Sequence, residues 1–152
     1  MEEFRLISID PGGTNGYAIW EEGAYLEDSG ALDAKELFEL VKNTKFHVMV
    51  IEEYRLYQSK AKTMIGNKFH TVQVIGVLKY LADESNIEVI EYPASYKKFW
   101  DNEKLKDLDL YTGVIHTRDA IRHGLHYFQF GEGAGNFEEP LSKLAEERGV
   151  IT

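Results

Sequence analysis

Apolar residues fall in short blocks separated by turn residues, and the period of the blocks changes along the chain. Residues 4–9 form a largely apolar run that ends at Asp10, and Pro11-Gly12-Gly13 follows as a turn signal, so the run reads as a strand. Residues 16–20 predict a second strand, Glu21-Glu22-Gly23 a hairpin turn, and residues 24–26 the start of a third strand. Helical spacing then takes over at Leu37, Phe38, Leu40 and Val41, with Asp33 placed to cap the helix N-terminus. Val48-Met49-Val50-Ile51 has no polar alternation and predicts a strand buried on both faces that ends near Glu52.

A long helix is expected over residues 62–84. Its apolar positions, Ile65, Phe69, Val72, Val74, Ile75, Val77, Leu78 and Leu81, cover more than one face. One face can pack on a sheet and the other needs cover, which suggests a partner chain. "IEVIEY" predicts a fifth strand, and Pro93 suits the first turn of a helix in "PASYKKFW". "DNEKLKDLDLYTG" reads as a connection or short helix, and "VIHTRDAIRHGLHYFQF" as a final helix. The first three strands form a meander, and the two that follow helices should lie parallel. The expected class is α/β: a mixed five-stranded sheet, a three-strand antiparallel meander plus two parallel strands, flanked by helices.

Length and composition narrow the class without changing it. The 152 residues, 43% hydrophobic and 28% charged, predict one globular domain over 1–152, with a Gly-rich acidic and peripheral tail over 131–152. There is no cysteine, so thiolate metal sites and disulfides are excluded. No apolar run reaches the ~18 residues of a membrane span, and the acidic start "MEEFRL" is unlike a signal peptide. A cytoplasmic location is the expectation. The net charge of −9 argues against a general nucleic-acid binder. Yet between Tyr54 and Ala82 the chain carries Arg55, Lys60, Lys62, Lys68 and Lys79 with no acidic residue, so a local basic face is compatible with it.

Asp10 and Glu52 both end predicted central strands. If those strands are neighbours, the two carboxylates meet at one sheet edge, where ligands bind in open α/β sheets. Paired carboxylates suit a hard cation such as Mg²⁺, which takes oxygen ligands and keeps water for substrate. "DPGGTNGYAIW" taken alone also resembles a phosphate loop of actin-like sugar kinases, although one lobe's length of chain and the lack of a second Asp-Gly-rich motif speak against ATP enclosure. On the final helix His116 and Asp119, three apart, share a face. His123 and His126 continue that stripe, either as zinc ligands or as polar residues on the wet side of a terminal helix.

Taken in order, Asp10 in "SIDPG", Glu52 in "VIEEY" and His116-x-x-Asp119-Ala120 in "IHTRDAIRHG" resemble the RuvC family of Holliday junction resolvases, with the compact phage branch nearest. The resemblance covers roughly residues 5–128 and includes a polar loop and Gly-containing helix after Glu52 and a Pro-initiated basic segment, "YPASYKKFW". It implies an RNase H-like fold, a homodimer through the helix at 62–84, and two-metal endonuclease action on branched DNA in a bacterial or phage-infected cytoplasm. In that family's terms Asp10 bridges two Mg²⁺ ions (Mn²⁺ substituting), Glu52 binds one, Asp119 the other, and His116 ligates metal or deprotonates the attacking water. The products would carry 5′-phosphate and 3′-hydroxyl ends. Glu53 alternates to the other strand face and is expected to be structural.

Tyr54 and Tyr57 are candidates for stacking on bases at an opened junction. Arg55, Lys60, Lys62, Lys68, Lys97 and Lys98 are candidate substrate contacts, chiefly to phosphate. The family is usually basic and this chain is acidic, so binding should be weak and strongly salt-dependent, with selectivity extending to flaps and forks. Other readings of the same residues are an RNA–DNA hybrid hydrolase, a YqgF-like RNA-processing enzyme, and a non-catalytic nucleic-acid-binding module.

Overall fold

A computed structural model describes residues 3–54 and 58–131, and of 58–69 the backbone alone. Arg55 and Tyr57, the side chains of Lys60, Lys62 and Lys68, and the acidic tail beyond Gly131 lie outside the described residues. Five strands form one sheet in the order β3-β2-β1-β4-β5. They are β1 (Arg5–Asp10), β2 (Asn15–Glu21), β3 (Tyr25–Leu32), β4 (Val48–Glu52) and β5 (Glu88–Tyr92). β1, β2 and β3 pair antiparallel as a meander, while β4 runs parallel to both β1 and β5. This is the mixed sheet expected from the sequence.

Alternation along the central strands sends successive side chains to opposite faces. Ile7, Ile9, Met49 and Ile51 face α1 (Ala34–Asn43) and α2 (Gln58–Glu84), where Leu37, Val41, Val74, Ile75 and Leu78 complete one apolar layer. Leu6, Val48 and Val50 face α4 (Ile115–Phe130) and α3 (Asn102–Asp107), with Trp20, Trp100, Leu105 and Ile121 filling the second layer. The same alternation points Ser8, Asp10 and Glu52 toward the α4 side. Both carboxylates therefore emerge on one face at the C-terminal ends of two neighbouring strands.

Local chemistry explains the element ends. Asp33 caps α1 by accepting from the Glu36 amide at 2.8 Å, while the Glu36 carboxylate accepts from the Asp33 amide at 3.2 Å, a reciprocal capping box worth roughly 1 kcal/mol. The β2–β3 hairpin turns through Gly23 and Ala24, both at positive φ. One expectation needs correction, and one left open is decided. Residues 94–99 form a 3-10 turn, Ala94–Phe99, instead of an α-helix, and Pro93 precedes it in an extended conformation. The Pro93 carbonyl accepts from the Tyr96 amide three residues on, the tighter 3-10 pattern. Residues 102–107 are a capped helix, α3, whose Asp101 side chain accepts from the Lys104 amide.

Candidate metal and phosphodiester site

The corner after β1 is built around Asn15, which is fully buried. Its side-chain oxygen accepts from the Gly12 amide at 3.1 Å and its nitrogen donates to the Leu32 carbonyl at 3.2 Å, so Pro11-Gly12-Gly13-Thr14 is folded back over the sheet edge. Helix α4 then crosses β2 at close range. A Cβ on Gly16 would lie 2.0 Å from the His116 carbonyl oxygen, and one on Gly124 would lie 2.2 Å from Trp20 Nε1. These two glycines let the first turn and the middle of the helix rest on the sheet. Thr117 adds a hydrogen bond of 2.8 Å to the Gly30 carbonyl, and Trp20 Nε1 donates to Ser8 Oγ at 2.9 Å beneath the helix.

The docked helix brings its polar stripe onto the two strand ends. His116 Nδ1 meets Asp10 Oδ2 at 3.0 Å. Two turns further on, His123 Nε2 meets Glu52 Oε1 at 2.9 Å. Asp119 lies between them and is held by Arg122, whose guanidinium donates to Asp119 Oδ1 at 2.7 Å, to the Trp100 carbonyl at 2.6 Å and to Asn102 Oδ1 at 2.7 Å. Lys97, from the 3-10 turn after β5, reaches both remaining carboxylates. Its Nζ is 2.8 Å from Glu52 Oε1 and 3.3 Å from Asp119 Oδ2.

The four residues singled out for catalysis and metal binding, Asp10, Glu52, His116 and Asp119, are therefore brought together. Of the other candidates, Lys97 enters the cluster itself and Lys98, next in sequence, is exposed. Tyr54 is half-buried and packs against the α1/α2 layer, so its ring serves the core rim. His123 is not a wet-side residue. It is 0% exposed, orients Glu52, and its Nδ1 has no hydrogen-bond partner among the described residues. His126 packs in an aromatic cluster, stacked on Tyr96 at 4.3 Å and accepting from Trp100 Nε1 at 3.3 Å. Burial first, then the nearby His123, lowers its pKa to about 4, which keeps it a neutral ring. Arg122 had no place in the sequence reading, although its i+3 spacing from Asp119 is the signal that could have marked it.

The electrostatics are those of crowded negative charge. Asp10 is 5% exposed. Its burial, then the charge of Glu52 and that of Asp119, push its pKa from 3.8 up to about 6, against the His116 hydrogen bond. Burial also works to raise Glu52, but hydrogen bonds from His123 and Lys97 outweigh it and hold this carboxyl at about 2. Burial opposes the Lys97 ammonium, while Glu52 and then Asp119 and Asp10 favour it and carry its pKa above the ordinary value. Among the described residues no three His, Asp or Glu side chains stand close enough together to hold an ion as they are. The donor set nonetheless fits a hard cation: three carboxylates and one imidazole on rigid elements, with a surplus of negative charge at Asp10.

No protein-family model matches the chain, and no curated protein matches it by sequence. Solved structures do share its fold. RuvC of Thermus thermophilus, in complex with a Holliday junction substrate, superposes with a TM-score of 0.60 at 16% identity, covering 86% of this chain and 98% of that one. Fowlpox virus resolvase, in complex with Holliday junction DNA, superposes with a TM-score of 0.59 at 16% identity, covering 82% of this chain and 98% of that one. The chain thus has the RNase H-like fold of these proteins.

Proposed function

We propose that this chain is a divalent-metal-dependent endonuclease that hydrolyses phosphodiesters of branched DNA, four-way junctions foremost. The observation that carries the reading is the meeting of Asp10, Glu52, Asp119 and His116 at the C-terminal edge of β1 and β4, on a fold shared with two resolvases solved with Holliday junction DNA. Asp10, Glu52 and Asp119 are the residues that would hold two Mg²⁺ ions, Mn²⁺ substituting. Such ions, when bound, supply Lewis acidity toward the attacking water and neutralise charge at the leaving 3′-oxygen.

The chain's own residues do the remaining work. With Nδ1 directed at Asp10, the half-exposed His116 keeps its other ring nitrogen available to take a proton from the incoming water. His123 fixes the rotamer of Glu52 from behind, and Arg122 does the same for Asp119, as expected of the partners that orient metal-binding carboxylates. Lys98, exposed and next in sequence to Lys97, is the lysine that would meet a phosphate of the flanking strand. Hydrolysis leaves 5′-phosphate and 3′-hydroxyl ends. Two copies joined through α2 would present two sites to one junction. Val72, Val77 and Tyr80 are exposed on that helix, and Gly76 between them opens onto free space.

The test is a substrate panel in Mg²⁺ and Mn²⁺: four-way junction, flap, fork, linear duplex and RNA–DNA hybrid. The expected outcome is nicking of the branched DNAs, lost in Asp10→Asn and Glu52→Gln while DNA binding persists. Undiminished cleavage by these two variants would overturn the metal-site assignment. Cleavage confined to the hybrid would move the reading to an RNA-directed nuclease of the same fold.

A further inference from the structure

Lysine ordinarily buries its stem and leaves its ammonium in water. Lys97 instead turns its ammonium onto carboxylates. Its side chain is only 24% exposed and its Nζ lies between Glu52 Oε1 at 2.8 Å and Asp119 Oδ2 at 3.3 Å. The two acceptors come from separate elements, β4 and α4, and Lys97 from a third, the 3-10 turn after β5. Asp119 gives its other oxygen to Arg122, so the oxygen on Lys97 is the one left for any other cation. Mg²⁺ takes oxygen ligands at roughly 2.0–2.1 Å. An ammonium at 2.8 and 3.3 Å from these two oxygens and a divalent ion bound to both cannot share that space.

We propose that Lys97 is an internal counter-ion that fills the cation position between Glu52 and Asp119 in the metal-free protein and is displaced when a divalent ion enters. The inference rests on the metal-dependent reading of the site. It assigns Lys97 a role in metal loading that is distinct from the surface phosphate contact expected of a lysine in this segment. The same ammonium cannot pair with these carboxylates and with a DNA phosphate at once. Metal entry therefore comes first, and Lys97 becomes available to substrate only afterwards. The exchange makes the site one charge more positive, since one univalent cation leaves the two carboxylates as one divalent ion arrives.

The experiment measures Mn²⁺ binding to DNA-free protein by electron paramagnetic resonance, with wild type, Lys97→Met and Lys97→Gln. Removing the competing ammonium should lower the Mn²⁺ dissociation constant about tenfold, the effect of one such ion pair. The Gln variant, a neutral and shorter polar side chain, covers the case in which Met disturbs folding. On the wild-type protein, acetylation of amines followed by peptide mass spectrometry should show Lys97 modified several-fold faster in Mn²⁺ than in EDTA, with the exposed Lys98 unchanged. Metal affinity unaffected by either variant, or Lys97 labelling indifferent to metal, overturns the inference and leaves the nuclease reading standing. Failure of the wild type to take up Mn²⁺ at all overturns both.

Discussion

Asp10 is the acid this fold finds hardest to keep ionised. Its carboxyl rises from 3.8 to about 6 because it is buried and then because Glu52 and Asp119 lie near. A carboxyl raised on folding binds its proton more tightly in the folded state, so it lowers stability above pH 6, and that cost vanishes below its unfolded pKa. Asp10→Asn should therefore raise the stability of the metal-free protein at pH 7.5 in EDTA by on the order of 1–3 kcal/mol. The gain should fade as pH falls from 6 toward 4, and denaturant unfolding at several pH values checks it. A gain that is constant across that range would contradict the crowding of carboxylates. Glu52 behaves oppositely: lowered to about 2, it contributes stability above its ordinary 4.5 that is lost as pH falls toward 2. At this scale Asp10, Glu52 and Asp119 were legible because strand ends and i, i+3 spacing are written in the chain. His123 was not. Periodicity places it on the stripe of His116 but does not say that this stripe faces the sheet.

What turns that stripe inward is the helix as a unit. Gly16 and Gly124 are the two points where α4 meets the sheet without room for a methyl group. Gly16→Ala would push the first turn of α4 off β2, at a cost of roughly 1–3 kcal/mol as in other overpacked cores. Because His116 belongs to that turn, the same substitution should break its 3.0 Å contact with Asp10. The expected outcome is a folded protein with a lower melting temperature and changed NMR chemical shifts of the His116 ring. An unchanged melting temperature would mean that the helix has slack the structure does not show. The elements themselves were largely readable, since strand runs, the Asp33 cap and the α4 period are local signals. The 3-10 turn at Ala94–Phe99 was not, because Pro93 suits the start of either helix type and only the i+3 carbonyl bond decides. Lys97 therefore read as a phosphate contact and its position inside the cluster stayed hidden.

At the scale of the molecule, two tightly packed layers lie on one sheet, and the outer face of α2 is left with Val72, Val77 and Tyr80 in solvent. A two-fold pairing through this face would give one junction two cutting sites. Light scattering at micromolar concentration should return twice the monomer mass of 17.4 kDa, and Val77→Glu with Tyr80→Glu should return the monomer. A monomeric wild type would remove the dimer from the proposal. The sequence hinted at this surface through the two-faced apolar pattern, but no local rule says which copies meet or how. The long span of the site has one more consequence. The His116–Asp10 contact joins residues 106 apart, so a growing chain exposes Asp10 and Glu52 well before the helix that completes the cluster is made. Domains fold as units during synthesis, and α4 is the last helix among the described residues. A ribosome-bound intermediate therefore lacks a finished cluster until α4 has been made.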